Sequence, residues 1–139
     1  MKNEDEPVTL DEWVIRLIWT DYYDANLVLP IQPGAFSPRK NETDGISVFR
    51  AACVSNSEDV LAVIAEDKRE KYAIALLSVA ELTALGLNVQ PAKIDSTPGH
   101  SVLPELNFGS WKADKARWRE VQKQLATLAS SRIVRRPKI

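Results

Sequence analysis

Cysteine, histidine and methionine each occur once in these 139 residues, and glycine only five times. A lone Cys53 excludes an internal disulfide and fits a reducing compartment. A lone His100 excludes a multi-histidine metal centre and any mechanism that needs two imidazoles. The glycines stand singly, so no phosphate-cradling loop is present and no cofactor is implied. Long apolar runs are missing too. The longest, Ala73 to Ala80, already contains Ser78, far short of the roughly 20 residues that span a bilayer. The first residues, MKNEDEP, are acidic where a secretory or mitochondrial signal would be basic. A cytoplasmic protein with no membrane partner is the expectation.

What is present suits one soluble domain: 45% apolar and 27% charged residues. The net charge of −1 conceals a division. Residues 111–139 carry nine basic side chains against two acidic ones, so the rest of the chain sums to −8. Such a split is the footprint of a nucleic-acid contact or of attraction between two parts of one assembly.

Residues 1–8 read as a disordered acidic tail, and 9–139 as a single α+β domain with a basic C-terminal helix and tail. Thr9-Leu10-Asp11-Glu12 has the form of a capping box. The following WVIRLIW (13–19) suits either helix or strand, and a short helical turn passing into a strand is the preferred expectation. Ile46 to Cys53 is a strand launched by the turn Thr43-Asp44-Gly45. Ser57 caps a helix expected to run to about Lys71. Tyr72 to Leu77 is a continuous apolar strand, and Ser78-Val79-Ala80-Glu81 caps a short helix stopped at Gly86. Leu87 to Gln90 resumes strand alternation. Trp118, Val121, Leu125 and Leu128 form one seam of a helix over 113–130, with Lys112, Lys115, Arg119 and Lys123 opposite. Ile133-Val134 offers an edge strand before Pro137. The expected architecture is a small mixed sheet with two or three helices packed on it.

The candidate chemistry gathers around the loop 29–45, where Pro30, Pro33, Pro38 and Gly34 forbid a regular ladder. Phe36 with Arg39 and Lys40 is a cation–aromatic set suited to a phosphate or a base, and Asp44 belongs to the same ligand-binding group. The plainer expectation for Phe36 is a plug into the core, and for Asp44 a turn former. His100, after Pro98-Gly99, is a candidate general acid or base, or a side chain that simply fixes its turn. Ser47 has no Gly-x-Ser-x-Gly context, so a hydrolase has no support from spacing. Glu105 and the carboxylates at 42–44 share no ligand spacing, so no metal is expected. Lys112, Lys115, Arg119, Lys123, Arg135 and Arg136 are the nucleic-acid candidates, although no helix-turn-helix, zinc or RNP pattern accompanies them.

Three segments together resemble a family of small, mostly bacterial proteins of unknown function. They are Phe36-Ser37-Pro38-Arg39 with Glu42-Thr43-Asp44-Gly45-Ile46-Ser47-Val48; Tyr72 to Gly86; and Pro98-Gly99-His100-Ser101-Val102-Leu103-Pro104-Glu105-Leu106. The resemblance covers about residues 30–106 and implies an accessory role, its members looking like products of mobile, defence or toxin–antitoxin type loci. Separately, the chain order Arg16, Ser47, Glu105 resembles the sparse signature of ADP-ribosyltransferase-type enzymes. That resemblance implies Arg and Ser holding NAD while Glu orients its ribose. The leading expectation is a non-catalytic interaction protein with a protein partner or a second copy of itself. An enzyme using Arg16, Ser47, His100 and Glu105 is the alternative, with nucleic-acid binding third.

Overall fold

The computed structural model describes residues 1–138. Six strands form one sheet in the order β4-β5-β2-β1-β3-β6. They are β1 (Trp13–Trp19), β2 (Ile46–Arg50), β3 (Tyr72–Ser78), β4 (Gln90–Pro91), β5 (His100–Leu103) and β6 (Ile133–Arg135). Three α-helices accompany them: α1 (Val79–Ala84), α2 (Phe108–Ala113) and α3 (Lys115–Ser130). The α+β class is as expected. The mixed sheet is not, because every neighbouring pair runs antiparallel. A parallel crossover joining the strands of the unit at 72–90 would need about a dozen or more residues of connection. Helix α1 has six residues, and the chain beyond it travels to the far edge of the sheet instead.

Cross-strand partners point to the same face, so the register assigns two sides. On one, Val14, Ile18, Val48, Ala75 and Leu77 pack with Leu125, Ala126 and Ala129 of α3 as the main core. On the other, Ile15, Phe49 and Ile74 form a smaller cluster with Val60 and Leu61. Residues 57–71, expected as one helix, are two 3-10 segments, Ser57–Val63 and Glu66–Lys71. The cap is Asn56, not Ser57, exchanging hydrogen bonds with Asp59. Ile64 is extended at the break, and Arg69 donates to the carbonyls of Leu61 and Ile64 (both 2.9 Å), satisfying groups that a continuous helix would have used.

Residues 13–19 are strand throughout. The Thr9–Glu12 pattern does form, with the Thr9 N–H donating to Glu12 at 2.8 Å, but it closes a turn before β1. Glu12 is committed elsewhere. Its carboxylate takes both the Nε (2.8 Å) and Nη2 (2.9 Å) donors of Arg50, a fully buried residue of β2. Arg50 spends its other donors on the carbonyls of Glu4, Glu6 and Pro7. Residues 1–8, expected as a solvated tail, are thereby wrapped around a buried guanidinium, and Lys2 N–H also donates to Ala52 O at 2.7 Å. Leu87–Gln90 pairs only at its end, with Gln90 and Pro91 joining β5. Asn88 instead gives its backbone and side-chain N–H groups to Glu105 (2.9 and 2.7 Å).

Candidate functional site

Strand β1 runs to Trp19, yet its pairing with β2 stops at Ile15↔Phe49. Where the two strands separate, the carbonyl of Ser47 loses its ladder partner. The guanidinium of Arg16 fills the opening. Its Nη1 donates to Ser47 O at 2.7 Å, while Nε (3.2 Å) and Nη2 (2.6 Å) both donate to Ala35 O in the turn Pro33–Phe36. Phe36 lies fully buried beneath it, 5.9 Å from Cζ to the ring centroid. Gln122, buried on α3, pins that turn by donating to Phe36 O (3.0 Å) and Ser37 Oγ (3.2 Å).

Arg16 has no ion pair among the described residues. Its three hydrogen bonds go to neutral carbonyls, which leaves one N–H on each terminal nitrogen without a protein acceptor among them. Burial pulls this guanidinium below its ordinary pKa; nearby Glu42 opposes the shift and Arg39 adds to it. An arginine nevertheless stays charged. A half-buried cation without a counter-ion therefore faces a cavity of about 360 Å³.

Trp19, Tyr22, Phe49 and Tyr72 wall this cavity with rings, and Arg39 and Glu42 stand at its rim. The Glu42 carboxylate accepts from the Arg39 backbone N–H at 2.9 Å, which fixes the rim turn. Trp19 and Tyr72 are paired across β1 and β3, centroids 5.0 Å apart. Gly34 is required by close approach: a Cβ there would stand 2.8 Å from the Tyr22 ring.

Ser47 and His100 line the same cavity. They come from adjacent strands and are offset by two residues, Ser47 opposite Val102 and His100 opposite Phe49, so both side chains lie on the face away from α3. His100 Nε2 is 3.1 Å from Ser47 Oγ, and Nδ1 is 2.5 Å from Ala92 O. A carbonyl can only accept, so Nδ1 carries the proton. In the neutral ring Nε2 is then the acceptor and the Ser47 hydroxyl donates to it. The imidazole also packs edge-on against Phe49, centroids 5.2 Å apart.

The structure thus brings together Arg16, Arg39, Ser47 and His100. Glu105 is not with them, being occupied by Asn88, so the arginine–serine–glutamate set does not converge. Lys40 and Asp44 are exposed and outside the lining, and Phe36 acts as a floor beneath Arg16. The basic candidates Lys112, Lys115, Arg119, Lys123 and Arg136 are exposed. Lys112 and Lys115 lie over the rings of Phe108 and Trp111, and Lys123 pairs with Glu120. Arg135 stands 4.0 Å from Glu58. Among the described residues, no group of three or more His, Cys, Asp or Glu side chains could hold a metal ion, and no helix is long and apolar enough to cross a membrane. Burial raises the pKa of the Cys53 thiol, which leaves it protonated beside Gly99.

No protein-family model matches this chain, and no curated protein or solved structure matches it either, so the geometry alone carries the functional argument.

Proposed function

We propose that the protein binds a small anionic ligand carrying a flat ring, held between Arg16 and the rings of Trp19, Tyr22 and Tyr72. The unpaired guanidinium carries this reading. Burying a charge without a partner is costly, and a ligand carboxylate or phosphate supplies the missing counter-ion through charge-assisted hydrogen bonds. The cavity falls within the size range of small-molecule sites. The ring walls suit a base or an arene, and Arg39 at the mouth adds a second positive charge. All three segments that carry the family resemblance supply lining residues: Ser37, Arg39, Glu42 and Ser47 from the first, Tyr72 from the second, His100 from the third.

A thermal-shift series tests it, with 4-hydroxybenzoate and adenosine 5′-monophosphate against their neutral counterparts 4-hydroxybenzamide and adenosine. The anions are expected to raise Tm, and less so as salt screens the charge. Equal shifts from the neutral compounds, or no shift from any, would overturn the reading.

A second reading, an accessory protein docking on a partner, is supported by a different feature. The hairpin closed by the Tyr23↔Ile31 bridge carries Leu27, Val28 and Leu29 at its tip, 48%, 98% and 46% exposed. Three consecutive exposed apolar side chains suit a protein contact.

A further inference from the structure

Spacing along the chain offers no hydrolase motif, yet the fold places a serine hydroxyl, an imidazole and a free cation in one cavity. We infer that Ser47 and His100 form a nucleophile–base pair that cleaves carboxylic esters of anionic aromatic ligands. The inference rests on the anion-binding reading above and adds a reaction to it.

Three features of the geometry support a base rather than a passive contact. Ala92 O holds the proton on Nδ1, so the lone pair at Nε2 points at the Ser47 hydroxyl. The orienting role that a carboxylate plays in a catalytic triad is taken here by a main-chain carbonyl. Both side chains are partly exposed within the cavity rather than sealed in the core, so a substrate reaches them. Arg16 donates to the carbonyl of Ser47 itself, which sets a positive charge one peptide unit from the nucleophile. Negative charge developing on an ester oxygen there is stabilised by that field.

Ser47 Oγ forms a bond to the ester carbonyl carbon while His100 Nε2 accepts the hydroxyl proton. The tetrahedral oxyanion faces Arg16. The carbon–oxygen bond to the leaving phenoxide breaks, and His100 returns the proton to that oxygen, leaving an acyl-serine. Water then attacks the acyl carbon, giving its proton to Nε2; Ser47 Oγ leaves and takes that proton back. The ester and one water become an alcohol and a carboxylic acid, with no oxidant or cofactor consumed. In the ester complex Arg39, which also lines the cavity, takes over the carboxylate that Arg16 holds in the unreactive anion, leaving Arg16 to face the oxyanion.

The probe is 4-acetoxybenzoate, a flat ring bearing a carboxylate and an acetyl ester, with neutral phenyl acetate as its comparison. The wild-type protein is expected to release 4-hydroxybenzoate at least about 100-fold faster than buffer, the ordinary contribution of a positioned general base. Phenyl acetate should be turned over more slowly. A fluorophosphonate should add one mass equivalent, mapped to Ser47, and 4-hydroxybenzoate should protect against it. Both signals should vanish in Ser47→Ala and fall at least tenfold in His100→Gln, with near-UV circular dichroism confirming that each variant is folded. Binding of 4-hydroxybenzoate by the wild type without turnover or labelling would overturn the catalytic inference and leave the binding reading standing. Absence of that binding would remove both. Label found on another residue, or surviving in Ser47→Ala, would overturn the catalysis alone.

Discussion

Glu12→Ala should lower the stability of this protein by about 3–5 kcal/mol, the usual result of stripping one partner from a buried ion pair. The reason is the state in which it leaves Arg50. That side chain is fully buried, and Glu12 is its only charged partner among its hydrogen bonds. Without the carboxylate the guanidinium remains desolvated, with only the carbonyls of Glu4, Glu6 and Pro7 around it. The amino-terminal segment should loosen with it, because those three carbonyls bind Arg50 and Lys2 also pairs with Glu12. Chemical denaturation measures the loss, and hydrogen exchange at residues 2–8 locates it.

The same pair sets an acid limit. Burial alone would raise the Glu12 pKa, but hydrogen bonds from Arg50, the Thr9 backbone and Lys2 prevail and lower it to about 2 from 4.5. A carboxyl whose folded pKa is depressed binds protons more readily when unfolded. Its stabilisation is therefore complete above about 4.5 and lost as pH falls towards 2. A difference of this size corresponds to roughly 3 kcal/mol. Denaturation midpoints of the wild type should fall steeply across that window. Glu12→Gln, which cannot ionise, should show a shallower decline there, and parallel declines would contradict the assignment.

Gly45→Ala is the second large effect expected. Gly45 has φ 125°, a backbone conformation that L side chains rarely adopt, and it immediately precedes β2. An added Cβ would stand 2.3 Å from the Leu103 carbonyl oxygen and 2.7 Å from its carbon. These are backbone atoms of β5, so relief requires moving one strand against the other. Strain of about 1–3 kcal/mol is expected from the conformation alone, with the clash in addition. Displacing β2 from β5 also disturbs the Ser47–His100 contact, which depends on Ser47↔Val102 and Phe49↔His100 register. Tm should fall by several degrees or more. The variant should also lose fluorophosphonate labelling beyond what its unfolded fraction explains. An alanine variant of wild-type stability would show that the turn adapts.

Elements that announce themselves locally were legible in the sequence. Strand β3, α1 with Ser78 as cap and Gly86 in the left-handed conformation, and the edge strand at Ile133 all follow from short-range pattern. So does α3, although its buried face is wider than the seam at 118, 121, 125 and 128. Gln122 lies four residues after Trp118 and three before Leu125, squarely on that face. Its polarity hid it, yet a glutamine at a core position is the sign of a buried hydrogen-bonding task, here the turn under Arg16.

The site was legible only as a collection of residues. His100 and Ser47 are 53 positions apart, and the distance between them is set by the β2–β5 register. Arg16 was a candidate for its place in a chain order shared with Ser47 and Glu105. Its actual role comes from the separation of β1 and β2, which no local pattern encodes. Glu105 illustrates the converse, a carboxylate beside a strand whose oxygens are taken by Asn88. The Arg50–Glu12 pair, which orders residues 1–8, likewise joins positions 38 apart. An acidic segment reads as a solvated tail until its cation is known.

The most direct test of the anion site is the Kd of 4-hydroxybenzoate for the wild type and for Arg16→Lys, measured by calorimetry at low salt. Lysine keeps the charge but loses the planar fork that spans Ala35, Ser47 and the cavity together. The wild type should bind, and the lysine variant should bind roughly 10- to 100-fold more weakly, the equivalent of about 1.5–3 kcal/mol for a charged hydrogen bond. Identical dissociation constants in two folded proteins would mean that Arg16 only braces the gap between strands, and that no anion is bound there.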